Sequence, residues 1–315
     1  MEKADPGEAG SGPTEAKEGY VRTPGGNLHY LQWGGTGPCT HLLHANGFCA
    51  GTYAPFVRHL TEDLRVFASD IRGHGSSDPL TQHRIRYWKI FAADLKSLVE
   101  AILSPPVVGV GHSLGAVTTY IAAALYPKLF SSIILIDPPI LPRRRLWDLA
   151  LVKWAGLGGR IPLARGARRR RRVFKGKHDA LDRFLANRGI FRTWSKEFVE
   201  AYLECGLLEK DDQTAVLRCD PELEAQIFES IPLDVWGYGP KISCPVLAIR
   251  GAASEIFLPE AAKRLCRVVP RCDLVTIGDA GHFVPMEQPQ ACARAIVAFV
   301  RSQLPPPAGL RTFKR

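Results

Sequence analysis

The chain has 315 residues, 46% hydrophobic and 23% charged, an ordinary globular composition long enough for one large domain or one domain with an insertion. Its net charge of +10 is uneven: residues 143–177 hold thirteen Lys/Arg against one acid, Asp148. The rest is near neutral, so a uniformly basic nucleic-acid binder is excluded and no nucleic-acid partner is expected.

The first eighteen residues are polar and rich in Gly, Pro and Glu, which predicts a disordered tail over 1–18 with no secretory signal. LHYLQW (28–33) and HLL (41–43) have strand character, and RVFASD (65–70) follows a helical stretch at about 53–62. Residues 86–103 place apolar side chains at helical spacing. VVGVG (107–111) reads as a strand, LGAVTTYIAAALYP (114–127) as a helix ended by proline, and SSIILID (131–137) as a strand with an apolar IILI core. Residues 139–240 interrupt this alternation with helical patterns near 146–155, 178–187, 195–208 and 221–230 and no clear strand. PVLAIRG (245–251), a helix near 259–267, DLVTIG (273–278) and an amphipathic helix at about 288–303 follow, with a second tail over 305–315.

Alternating apolar strands and helices predict an α/β fold with a mostly parallel sheet flanked by helices. The core spans 19–138 and 241–304, and 139–240 forms a helical cap. Ligand sites in such sheets lie beyond the C-terminal strand ends. No run of about eighteen apolar residues predicts a membrane span. Eight cysteines without a C-x-x-C pair read as free or packed thiols in a reducing compartment, paired only if the chain is exported. A cytoplasmic location is expected.

Gly111-His112-Ser113-Leu114-Gly115 fits G-x-S-x-G between a strand and a helix, which forces the serine onto a sharp turn. Serine needs a base to take its proton. His282 is the candidate, on the Gly-containing loop between the last strand and the last helix; His44 and His74 read as pocket-wall or structural residues, and His112 would point away from Ser113. For the carboxylate that orients the base, Glu255 is favoured as the only acid of the loop after 246–251, giving the order Ser…Asp/Glu…His. The alternative is Asp137 at the end of IILID, which also reads as a turn residue before Pro138-Pro139. Backbone N–H groups of Leu114 and Phe48 are the candidate oxyanion donors.

HANGF (44–48), DIRGHGSSD (70–78), GHSLG (111–115) and the GH of DAGHF (279–283) together resemble the α/β-hydrolase fold, in its lidded esterase/lipase-like form, over residues 20–304. The resemblance implies a cap inserted after the sixth core strand, Ser113 as nucleophile and His282 as base. The chain departs from it with Asn46-Gly47 where His-Gly is usual, and with Ser254 where the acid usually stands. Asp70, Arg72 and Ser76 would be structural. Ser113 where relatives that open epoxides or remove halide carry Asp argues against both chemistries.

The expected reaction is hydrolysis of a small-molecule carboxylic ester through an acyl-enzyme, with no metal or organic cofactor needed. A thioester or a C–C bond are alternatives on the same residues, and a non-catalytic binding protein is the rival class. Cap aromatics Trp147, Trp154, Phe174, Phe184, Phe191 and Trp194 are candidate pocket walls. Arg168, Arg169, Arg170, Arg171 and Arg172 read as a solvated surface loop, or as a patch for anionic headgroups or phosphate-bearing substrates.

Overall fold

A computed structural model describes residues 16–80, 85–186, 189–210 and 213–304. The tail read at 305–315 and most of that at 1–18 lie outside the described residues. Eight strands form the main sheet: β1 (Lys17–Thr23), β2 (Gly26–Gly34), β3 (Cys39–Leu43), β4 (Arg65–Ser69), β5 (Val107–His112), β6 (Phe130–Ile136), β10 (Val246–Gly251) and β11 (Cys272–Ile277). Their order is β1-β2-β4-β3-β5-β6-β10-β11. β1 and the β2–β4 pair are antiparallel, and every pairing from β4 to β11 is parallel.

The central strands explain the apolar runs. Val107–His112 and Val246–Gly251 are buried at every position because helices cover both faces. On one face the helices Lys89–Ile102 and Leu114–Leu125 pack Leu95, Leu98, Val117 and Ile121 against Ile133 and Leu135. On the other, the final helix Pro289–Gln303 packs Ile296 and Val300 with Val110, Ile134 and Ile249.

The segment between β6 and β10 holds the helices Arg143–Trp154, Pro162–Arg168, Gly176–Leu185, Lys196–Gly206 and Pro221–Glu229. It also contains strands, contrary to the purely helical expectation. β7 (Val173–Phe174), β8 (Leu207–Glu209) and β9 (Ala215–Leu217) form a small antiparallel sheet in the order β7-β9-β8. These strands are too short to leave a period-two pattern. The N-terminal reading changes as well, since Lys17 and Glu18 already pair with β2.

Cysteine usage also departs from expectation. Cys49 pairs with Cys205 and Cys266 with Cys272 as disulfides, leaving Cys39, Cys219, Cys244 and Cys292 free. The first of these joins the loop after β3 to the helix Lys196–Gly206 across 156 residues. No helix among the described residues is long and apolar enough to cross a membrane.

Candidate active site

β3, β5, β6, β10 and β11 run parallel, so the loops that follow them meet at one sheet edge. Ser113 caps β5 with φ 53° and ψ −114°, a strained conformation that lifts its side chain out of both strand and helix. Glycine flanks it for want of space. A Cβ on Gly115 would lie 2.2 Å from the Leu43 carbonyl oxygen, and one on Gly111 would lie 2.4 Å from the Gly115 oxygen. The Gly115 N–H donates to His44 O at 3.1 Å, locking the turn to the loop after β3.

His282, after β11, stands 3.0 Å from Ser113 Oγ through Nε2. Its Nδ1 lies 2.8 Å from Asp137 Oδ1. Asp137 is fully buried after β6, with φ 42°. Its Oδ1 also accepts from Ser254 Oγ at 2.6 Å, and its Oδ2 accepts from the Gly251 N–H at 3.0 Å. Three donors thus converge on this buried carboxylate. With Asp137 an acceptor, the His282 proton sits on Nδ1 and leaves Nε2 free to accept from serine.

The structure therefore corrects the expected acid. Glu255 is exposed and makes no hydrogen bond or ion pair to His282, because the inward-facing residue of its loop is its neighbour Ser254. Ser254 donates to Asp137, whose carboxylate meets the imidazole. Ser254 Oγ also accepts from the N–H groups of Ile256 and Phe257 at 3.2 and 3.3 Å, which fixes the loop.

The candidate oxyanion donors differ in engagement. Leu114 opens its helix, where leading N–H groups have no intrahelical acceptor. The Phe48 N–H closes a turn onto Ala45 O at 3.2 Å, so donation to an oxyanion would share that bond. Gly47 has φ +80°, and a Cβ there would meet Glu224 at 2.9 Å and Arg170 at 3.0 Å.

Three buried histidines, His44, His74 and His112, hold the framework around these loops. His112 turns away from Ser113, as read from the sequence: Tyr53 Oη lies 2.6 Å from its Nδ1, and its Nε2 lies 2.9 Å from His282 O. Tyr53 Oη accepts from the Ala45 N–H at 3.0 Å, which fixes the direction of its own proton toward His112. One relay thus runs from the loop after β3 to the His282 backbone. Sequence reasoning did not find Tyr53, and no local pattern marks it. His44 accepts from Ile71 N–H at 2.8 Å, and His74 lies 3.2 Å from Asn46 Oδ1. Burial pushes His41, His74 and His112 down to about 3, so they stay neutral. Asp70 accepts from the Ala50 and Ser76 N–H groups at 2.7 and 2.8 Å, and Arg72 pairs with Asp94, tying the strand-end loops together.

The segment between β6 and β10 contributes an aromatic cluster. Trp194 packs on Phe48 and Phe283 with ring centroids 5.3 and 5.5 Å apart, and Phe191, Phe184 and Phe174 extend the cluster. Trp147 and Trp154 take no part in it and face solvent. The arginine run is largely neutralised within the cap. Arg168 pairs with Glu222 and Glu229, Arg170 with Glu224, Arg171 with Asp179 and Arg172 with Asp220. Among the described residues only Arg169 of the five has no carboxylate partner.

Curated relatives are named hydrolases. The chain is 26% identical over 268 residues to the 2-(acetamidomethylene)succinate hydrolase of Mesorhizobium japonicum, covering 84% of this chain and 89% of that protein. It is 26% identical over 284 residues to the pimeloyl-[acyl-carrier protein] methyl ester esterase of Stenotrophomonas maltophilia, covering 87% and 97%. Among solved structures, that of E-2-(acetamidomethylene)succinate hydrolase matches with a TM-score of 0.75 at 24% identity, covering 91% of this chain and 100% of the other. The sequence profile described as "Alpha/beta hydrolase family" matches residues 42–295, and the chain belongs to that family.

Proposed function

We propose that the protein is a serine hydrolase of carboxylic esters, with Ser113 as nucleophile, His282 as base and Asp137 as the orienting acid. The observation that carries this reading is the continuous chain Asp137–His282–Ser113, with contacts of 2.8 and 3.0 Å. Ser113 Oγ attacks the ester carbonyl while His282 Nε2 takes its proton. The Leu114 N–H, with that of Phe48, holds the negative charge that develops on the carbonyl oxygen. Imidazolium His282, stabilised by Asp137, then protonates the departing alcohol. Water, deprotonated by the same nitrogen, releases the acid and restores the serine.

The relative named a methyl ester esterase supports the ester assignment. The aromatic wall of Phe48, Trp194 and Phe283 suits an apolar acyl or alkyl group.

The test is turnover of p-nitrophenyl esters of increasing chain length by the wild type and by Ser113→Ala. Ester cleavage lost by several orders of magnitude in the variant is the expected result. Ester cleavage retained by the variant, or no ester cleavage by the wild type, overturns the assignment. In the second case, acyl thioesters and β-diketones assayed in parallel distinguish the neighbouring chemistries from a binding role.

A further inference from the structure

We infer that the cap helix Arg143–Trp154 docks the protein on anionic lipid surfaces, with Trp147, Leu151 and Trp154 seated among the acyl chains. This goes beyond the hydrolase assignment and does not depend on it. The helix sequence is RRRLWDLALVKW. Leu146 and Leu149 face the core, and Lys153 Nζ donates to Ile231 O at 2.6 Å, which fixes the inward side. Positions 143, 147, 151 and 154 fall on successive turns of one stripe of an α-helix. That stripe is outward: Trp147 is 72% exposed, Leu151 64% and Trp154 88%. Isolated apolar surface residues are ordinary, but two tryptophans and a leucine aligned on one helix are not.

The charge around this stripe selects the partner. Arg143, Arg144 and Arg145 open the helix, and exposed Arg160, Arg165 and Arg169 follow it. Between 143 and 169 the one acid is Asp148. Among the described residues, none of Arg143, Arg145, Arg160, Arg165 and Arg169 meets a carboxylate. Arg144 reaches Glu260 only at 3.8 Å, with both groups well exposed. This contrasts with Arg168, Arg170, Arg171 and Arg172, which the cap's own acids occupy. Tryptophan and leucine on one face, with unpaired Arg143 and Arg145 in the first turn of the same helix, is the pattern of a helix that lies in the plane of a bilayer interface. The indole rings reach the acyl boundary, and the guanidinium groups meet lipid phosphates.

The test is co-sedimentation of the full chain with phosphatidylcholine vesicles, with and without phosphatidylserine, at low and high salt. Wild type and the triple variant Trp147→Ser/Leu151→Ser/Trp154→Ser are compared. All three side chains are exposed, so melting temperature and turnover of a water-soluble ester should be unchanged in the variant. The expected result is binding to the serine-lipid vesicles, reduced by salt and weakened about tenfold or more in the variant. A blue shift of tryptophan emission on binding should vanish with it. Absence of wild-type binding at low salt, or binding equal in the variant, overturns the inference. So does a dimer in sedimentation velocity that the triple variant dissolves, which would assign the face to a second copy.

Discussion

Asp137→Asn separates the two carboxylates that the sequence leaves open. The substitution keeps the shape of a fully buried side chain and replaces one acceptor oxygen by an NH2 group. Three donors surround that side chain: His282 Nδ1 at 2.8 Å, Ser254 Oγ at 2.6 Å and Gly251 N at 3.0 Å. If the amide oxygen keeps His282 and Ser254, the NH2 group faces the Gly251 N–H, leaving buried donors opposed at a cost of about 1–3 kcal/mol of stability. If the amide flips, NH2 donates to Nδ1 and moves the His282 proton to Nε2, where it can no longer receive the proton of Ser113. Either orientation removes the anion that stabilises the imidazolium. A fall in kcat of about a thousand- to ten-thousandfold is expected, or about 4–5.5 kcal/mol of transition-state stabilisation. KM should change little, because the carboxylate lies behind the imidazole. The assay is kcat and KM on a p-nitrophenyl ester, beside a thermal melt to show that the variant is folded. Glu255→Gln, on an exposed side chain, should retain wild-type activity. A folded Asp137→Asn of near-normal kcat, together with a disabled Glu255→Gln, would refute the reasoning.

Gly115→Ala should destabilise by about 2 kcal/mol or more and abolish activity, because its Cβ meets the Leu43 and His44 carbonyls at 2.2 and 2.7 Å; denaturant titration measures it. Arg170→Met strands the buried Glu224 and should cost about 3–5 kcal/mol, whereas Arg169→Ala should stay within about 0.5 kcal/mol. Equal losses in the two would contradict the division of the arginine run. Acid should unfold the protein early. His41, His74 and His112 are lowered to about 3 in the fold, so below about pH 6.5 the unfolded chain binds protons that the native chain refuses. Stability then falls with pH, by up to about 1.4 kcal/mol per unit for each histidine, until the folded values are reached. Urea midpoints at pH 7.5 and about 5.5 report it, and a flat profile would show that these rings are solvated.

The parallel core was legible because IILI (133–136) and VLAI (246–249) are consecutive apolar runs, the pattern of strands covered on both sides. Ser113 and His282 were legible because glycine-bearing loops at strand ends announce them. The acid was not. Asp137 precedes two prolines and looks like a turn residue, and its partners lie 114 to 145 residues away. The order Ser…Asp/Glu…His, used to favour Glu255, holds equally for Asp137 and could not decide between them. β1 escaped notice because KEGYVRT is mostly exposed at a sheet edge and carries the charged residues Lys17, Glu18 and Arg22, which such an edge tolerates. The arginine run read as solvated because the acids that meet it come from the helix Pro221–Glu229 and its cap, about fifty residues on, and from Asp179.

Asp137 and Ser254 close neighbouring strands and touch at 2.6 Å although 117 residues separate them. A carboxylate on either strand tip could address the same imidazole nitrogen. A comparison that looks for a carboxylate only at the second tip finds serine there and misses the carboxylate on the first. The measure that avoids that error is spatial: whether any carboxylate lies within hydrogen-bond reach of the histidine, whichever strand delivers it. The same adjacency makes Asp137→Ser with Ser254→Asp a minimal relocation of a charged group between two tips of one sheet, open to redesign without altering Ser113 or His282.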